Sequence, residues 1–204
     1  QGGLGCSIWE QAWYLRGMEN LFCDMMSEDP MAEFLLDRVT DIAVSQMESL
    51  ARAGVDSVYF GDDIGMQHTI MMSEELYGTW LKPRLKRLID AGKAIKPDLI
   101  VIYHSCGHVN ELIPQLIEAG IDVLNPVQPE CMDIYELKDK YGDKITFFGN
   151  ISEQSFKEGL YSVRERQNIE RRVNERIVIK LCVRRSQLAI VHYLLVLLPL
   201  PAPV

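Results

Sequence analysis

Four times in this chain a short β-prone run ends in polar, ligand-capable residues. The runs are 56–60, 99–104, 121–124 and 144–148. They exit into Gly61-Asp62-Asp63-Ile64-Gly65-Met66-Gln67-His68, Ser105-Cys106-Gly107-His108, Asn125-Pro126-Val127-Gln128-Pro129-Glu130 and Gly149-Asn150-Ile151-Ser152. Helical patterns precede and separate them. Asp29 caps the first and Pro30 sits in its opening turn. Its apolar positions Leu35, Val39, Ile42, Ala43, Met47 and Leu50 follow the i, i+3/i+4 rule, and Gly54 ends it. Ser73 opens a second helix to about residue 91, with Pro83 as a break. Further helices are expected over 110–119 and 132–141. Residues 2–5 read as loop, 8–18 as a short helix or a strand exit, and 22–27 as a Met-rich connector.

Strand, loop and helix in repeated alternation imply a parallel sheet, either a (β/α) barrel or a doubly wound sheet. In both, ligands bind at the carboxyl ends of the strands, where every polar cluster of this chain sits. No G-x-G-x-x-G follows a strand, so a dinucleotide-binding fold loses weight.

The 204 residues suffice for one domain with a proper core. The first residue is Gln, as expected of a fragment or a processed form, and no signal peptide opens the chain. Five scattered cysteines suit a reduced, cytoplasmic protein better than a disulfide framework. Through residue 154 the chain holds 12 basic and 25 acidic residues, a net of −13, which argues against nucleic acid as a partner. From residue 155 the balance reverses to 9 basic against 4 acidic. Residues 162–181 are Arg-rich, and 187–204 are almost wholly apolar but too short and Pro-broken for a membrane span. We therefore divide the chain into a 1–154 domain and an atypical 155–204 tail, either out of register with the domain or a basic amphipathic helix.

The chemistry concentrates at His104-Ser105-Cys106-Gly107. Residues i and i+2 of an extended segment share a face, so an imidazole and a thiol emerge side by side. Zinc accepts both donors. The plainer alternative is a hydrogen-bonded histidine beside a small buried cysteine. Asp62 and Asp63 are candidate catalytic carboxylates, or caps for a loop or helix. Gln67 and Gln128 either bind a ligand or tie loops together. Asn125 and Asn150 fit turns, with Asn150 also a candidate substrate-binding residue.

The stretches Ala53-Gly54-Val55-Asp56, Gly61-Asp62-Asp63-Ile64-Gly65-Met66-Gln67, His104-Ser105-Cys106-Gly107, Gly120-Ile121-Asp122-Val123-Leu124-Asn125-Pro126-Val127-Gln128-Pro129 and Phe148-Gly149-Asn150-Ile151 together resemble the uroporphyrinogen decarboxylase superfamily. The resemblance spans roughly 7–154. It implies a partial TIM-type (β/α)8 barrel that lacks the N-terminal strands. It also implies one of two chemistries. One branch decarboxylates the acetate arms of uroporphyrinogen III, in porphyrin and haem biosynthesis, without a cofactor. The other uses zinc to move a methyl group from a corrinoid to a thiol. In that branch His-x-Cys supplies two zinc ligands and a later cysteine the third. His104 and Cys106 match the pair, and Cys182, or else Cys131, is the candidate third ligand. In the methyltransferase reading one of Asp62 and Asp63 orients His104. In the decarboxylase reading an Asp at the position of Asp62 lies near the tetrapyrrole. The substrate is then a small thiol or a tetrapyrrole, with a corrinoid protein as possible partner, and neither nucleic acid nor membrane. A third expectation is an inactive, truncated copy of such an enzyme.

Overall fold

The computed structural model describes residues 1–149. Within them five strands form one sheet in the order of the chain, all parallel. They are β1 (Gly2–Cys6), β2 (Ser57–Gly61), β3 (Ile100–His104), β4 (Val123–Asn125) and β5 (Thr146–Phe147). An uninterrupted 1-2-3-4-5 order is the wall of a (β/α) barrel. A doubly wound sheet reverses its order at a switch point, and none occurs among the described strands.

The strands are pleated between two different environments. Val58, Phe60, Val101, Tyr103, Leu124 and Phe147 join one contiguous apolar core with the helices. The alternate residues Tyr59, Ile102, His104, Val123 and Asn125 lie outside that core and project from the opposite face. Period-2 alternation therefore sends His104 away from the helices while its neighbour Tyr103 is buried beneath them.

Among the described residues seven α-helices cover the sheet: α1 (Trp9–Arg16), α2 (Met18–Met26), α3 (Pro30–Arg52), α4 (Glu74–Trp80), α5 (Lys82–Ile95), α6 (Ile113–Ala119) and α7 (Ile134–Tyr141). Asp29 caps α3 by accepting from the Met31 N–H at 2.8 Å. Ser73 caps α4 through the Leu76 N–H at 3.1 Å. The break expected at Pro83 falls at Leu81, between α4 and α5, and places Pro83 in the first turn of α5. The buried stripe of α3 runs through Ala32, Leu36, Val39, Ala43, Met47 and Ala51, while Ile42 is exposed.

Two expectations need correction. Residues 2–5 are strand, not loop: Gly2, Gly3, Gly5 and Cys6 pair with Val58, Tyr59, Phe60 and Gly61. A glycine-rich segment has little intrinsic strand preference, and here the ladder to β2 supplies it. Residues 22–26 are helical, not a connector, because Leu21 and Met25 one turn apart bury the same face of α2. Gly17, with φ +83°, separates α1 from α2.

Candidate metal centre

The site is built where β2 and β3 end. Gly61 pairs with His104, and His104 with Asn125. Beyond the strands, the loops after β2 and β3 are locked together by a backbone bond and a serine side chain. The His108 N–H donates to the Met66 carbonyl at 2.7 Å, and the Ile64 N–H to Ser105 Oγ at 3.1 Å. Two glycines allow this approach. A Cβ on Gly65 would lie 2.7 Å from the Cys106 carbonyl oxygen, and one on Gly107 2.6 Å from that of Met66. Gly107 also has φ +81°, a region that side chains disfavour.

This framework holds three donors together. Cys106 Sγ is 3.4 Å from His104 Nε2, and Asp63 Oδ1 is 3.8 Å from the same nitrogen. The three ligand atoms all lie within 4.8 Å of one another. The Cys106 N–H also donates to Asp63 Oδ1 at 2.7 Å, which fixes the carboxylate against the turn. Zinc bonds of about 2.0–2.3 Å, tetrahedrally arranged, separate donor atoms by roughly 3.3–3.8 Å. The His104–Cys106 distance of 3.4 Å fits that range, and the His104–Asp63 distance of 3.8 Å lies a few tenths of an ångström above the roughly 3.3–3.6 Å of a nitrogen–oxygen pair. All three side chains are half-buried.

The far side of the imidazole is also engaged. His104 Nδ1 lies 2.7 Å from the Tyr59 hydroxyl and 2.9 Å from Asn125 Oδ1. Tyr59 donates to Asn125 Oδ1 at 2.9 Å, and Asn125 Nδ2 donates to the Phe148 carbonyl at 3.1 Å. Burial, then the nearby Cys106 and Asp63, push the Tyr59 phenol above its ordinary pKa, so it stays a neutral hydroxyl.

The adjacent aspartates face opposite ways. Asp62 is buried, and its carboxylate accepts from the N–H groups of Ser7, Ile8 and Glu10 and from the Ser7 hydroxyl. These are the donors at the start of α1, so Asp62 serves as that helix's cap from another strand. Burial outweighs those hydrogen bonds and raises its pKa to about 6. Asp62 meets His104 only through backbone, its N–H donating to the His104 carbonyl at 3.1 Å, whereas Asp63 brings its carboxylate to the imidazole. Its own N–H donates to Glu10 Oε2 at 3.1 Å.

Gln128 ties loops: its Oε1 accepts from the Gly107 N–H at 2.5 Å. Gln67 is exposed. The Cys131 thiol approaches Gln128 Oε1 at 3.8 Å and is not in the donor cluster, while its carbonyl lies 2.8 Å from His108 Nδ1. Burial raises the Cys131 thiol pKa. His108 also meets Glu111 through Nε2, at 3.0 Å. Asn150, Cys182 and the 155–204 tail lie outside the described residues. Sequence reading missed Tyr59, Glu10 and the role of Asn125. Strand alternation would have found Tyr59, two residues before the glycine paired with His104.

Among the described residues, no helix is long and apolar enough to cross a membrane. A family model described as "Uroporphyrinogen decarboxylase (URO-D)" matches residues 2–177. No curated protein matches the chain. Among solved structures, the fold is similar to that of a "methyltransferase from Methanosarcina mazei", with a TM-score of 0.61 and 19% sequence identity. The match covers 74% of this chain and 43% of that one, so the present chain spans less than half the length of that structure.

Proposed function

The chain belongs to the uroporphyrinogen decarboxylase family, and from that premise we propose that it acts as a zinc-dependent methyltransferase, moving a methyl group from a corrinoid to a small thiol. The observation that carries this reading is the 3.4 Å approach of Cys106 Sγ to His104 Nε2, with Asp63 completing a three-donor cluster. Zinc held there would supply a Lewis acid that lowers the pKa of a substrate thiol and maintains it as the nucleophilic thiolate. The chain's own residues prepare the place for it. Asp63, held by the Cys106 N–H, adds negative charge beside the thiol and imidazole. Gly65 and Gly107 let the two loops close, and Gln128 braces the turn that carries Cys106. Cys182 remains a candidate ligand from the tail, in place of Asp63 or beside it. Gln67 and Asn150 are candidate contacts for the substrate. Thiol chemistry with no disulfide among the four described cysteines suits a reducing, cytoplasmic setting. A corrinoid-carrying protein is the partner this reaction calls for.

The test is zinc stoichiometry of the purified chain beside Cys106→Ser and His104→Gln. About one zinc per chain, lost in both variants, is the expected result. Wild-type protein without zinc overturns the reading and returns the site to the cofactor-free decarboxylase branch, with uroporphyrinogen III as the substrate to assay, or to an inactive copy.

A further inference from the structure

We propose that Tyr59 and Asn125 are positioning residues that select one tautomer of His104, with the proton on Nδ1 and the Nε2 lone pair turned toward Cys106 and Asp63. The inference rests on the metal-site reading for its purpose, but the tautomer is measurable without metal.

The hydrogen-bond inventory allows one solution for a neutral ring. Asn125 Nδ2 donates to the Phe148 carbonyl, which can only accept, and this fixes the amide with Oδ1 toward His104. Oδ1 can only accept, so Nδ1 at 2.9 Å must carry a proton. The Tyr59 hydroxyl has a single proton and uses it on the same Oδ1 at 2.9 Å. Its lone pairs then face Nδ1 at 2.7 Å and accept the second half of a shared N–H. A proton on Nε2 would instead set Nδ1 and Oδ1 as two lone pairs face to face. Asn125 thus acts twice: it accepts from the ring, and it turns the tyrosine hydroxyl so that it accepts as well.

The placement follows from register. Asn125 is the strand partner of His104, and Tyr59 sits on the same face of β2, two residues before Gly61, which pairs with His104. Gly61 has no side chain to fill that position, and the tyrosine ring extends along the strand into reach. Metal-binding histidines are oriented by such partners on the second nitrogen, and loss of the partner weakens metal binding by about 10–100-fold.

The arrangement predicts unequal effects of its two members. In Asn125→Leu the Tyr59 hydroxyl is released, donates to Nδ1 and drives the proton to Nε2. In Tyr59→Phe the Asn125 oxygen still accepts, and the proton stays on Nδ1. Asn125→Asp keeps an acceptor and also retains the Nδ1 proton. The measurement is a long-range proton–nitrogen NMR spectrum of the zinc-free full chain labelled at its four histidines, with His104 assigned by loss of its signals in His104→Gln. A wild-type signal showing Nε2–H overturns the proposal, and that spectrum decides even if Asn125→Leu does not fold. An Asn125→Leu spectrum that still shows Nδ1–H overturns it too. Zinc affinity by chelator competition is the second reading, with a 10–100-fold loss expected in Asn125→Leu and less than about tenfold in Tyr59→Phe. An Asn125→Leu protein that binds zinc as tightly as wild type overturns the purpose assigned to the pair. Wild type with the Nδ1 proton and no zinc binding overturns the metal-site reading alone.

Discussion

Asp62 and Ser7 are 55 residues apart in sequence and joined twice, through the Ser7 hydroxyl at 2.7 Å and the Ser7 N–H at 3.1 Å. The same carboxylate also takes the N–H groups of Ile8 and Glu10. One side chain at the end of β2 thus closes the start of α1, whose own cap position, Ile8, has no side-chain acceptor. The β1–α1 unit is secured to the rest of the sheet at this point.

The first prediction concerns that cap. With a folded pKa raised to about 6 against an unfolded value of about 3.9, the native state holds the extra proton between those limits. The proton-linked part of the Asp62 contribution to stability is therefore full below about pH 4 and is lost as pH rises through about 6. Asp62→Asn removes the ionisation and flattens this part of the stability curve while keeping one acceptor. Asp62→Ala leaves buried N–H donors unmet and is expected to cost roughly 2–4 kcal/mol. Urea unfolding of both variants between pH 4 and 8 checks this. An unchanged pH slope in Asp62→Asn contradicts it.

What could be read from sequence follows the range of the forces involved. The caps at Asp29 and Ser73 were legible because a capping side chain and the N–H that donates to it lie within three residues. Strands 2 to 5 were legible because their apolar runs are flanked by turn residues. β1 was not, since Gly2-Gly3-Leu4-Gly5 becomes a strand only by pairing with residues more than fifty positions away. His104 and Cys106 stood out because they are neighbours on one extended segment. Asp62 and Asp63 are indistinguishable in sequence. Their division into a helix cap and a carboxylate beside His104 and Cys106 depends on α1 on one side and on β3 on the other.

The second prediction separates two glycines. Gly107→Ala must bear an unfavourable φ of +81° and a Cβ 2.6 Å from the Met66 carbonyl oxygen. It is expected to lose at least about 2 kcal/mol and to disturb the turn that carries Cys106. Gly3→Ala meets nothing nearer than the Tyr59 carbonyl oxygen at 3.5 Å, an ordinary contact, and is expected to change stability by less than about 0.5 kcal/mol. Thermal unfolding of the two proteins gives the comparison, and equal losses would refute it.

The third prediction tests packing apart from the site. Leu88 on α5 is fully buried in the core between sheet and helices. Leu88→Ala is expected to destabilise by roughly 2–5 kcal/mol through lost burial and the cavity left behind. Metal binding measured well below the unfolding midpoint should be retained, since no residue of the donor cluster changes. A loss of metal affinity without loss of stability would contradict the assignment of Leu88 to the core alone.

The last prediction asks what Asp63 contributes. Its Oδ1 accepts from the Cys106 N–H at 2.7 Å and stands 3.8 Å from His104 Nε2. Asp63→Asn retains an acceptor for that N–H, so the turn should keep its shape and the unfolding midpoint should move little. What it removes is the negative charge and the anionic donor. If Asp63 binds the metal, zinc affinity by chelator competition falls at least about tenfold, and cobalt-substituted protein changes its visible absorption because one ligand has changed. If a ligand outside the described residues completes the site and Asp63 only braces Cys106, Asp63→Asn leaves both readouts near wild type, while Asp63→Ala, which loses the brace, lowers stability. The two substitutions together distinguish a ligand from a strut, because the charge is absent from both and the hydrogen bond from only one.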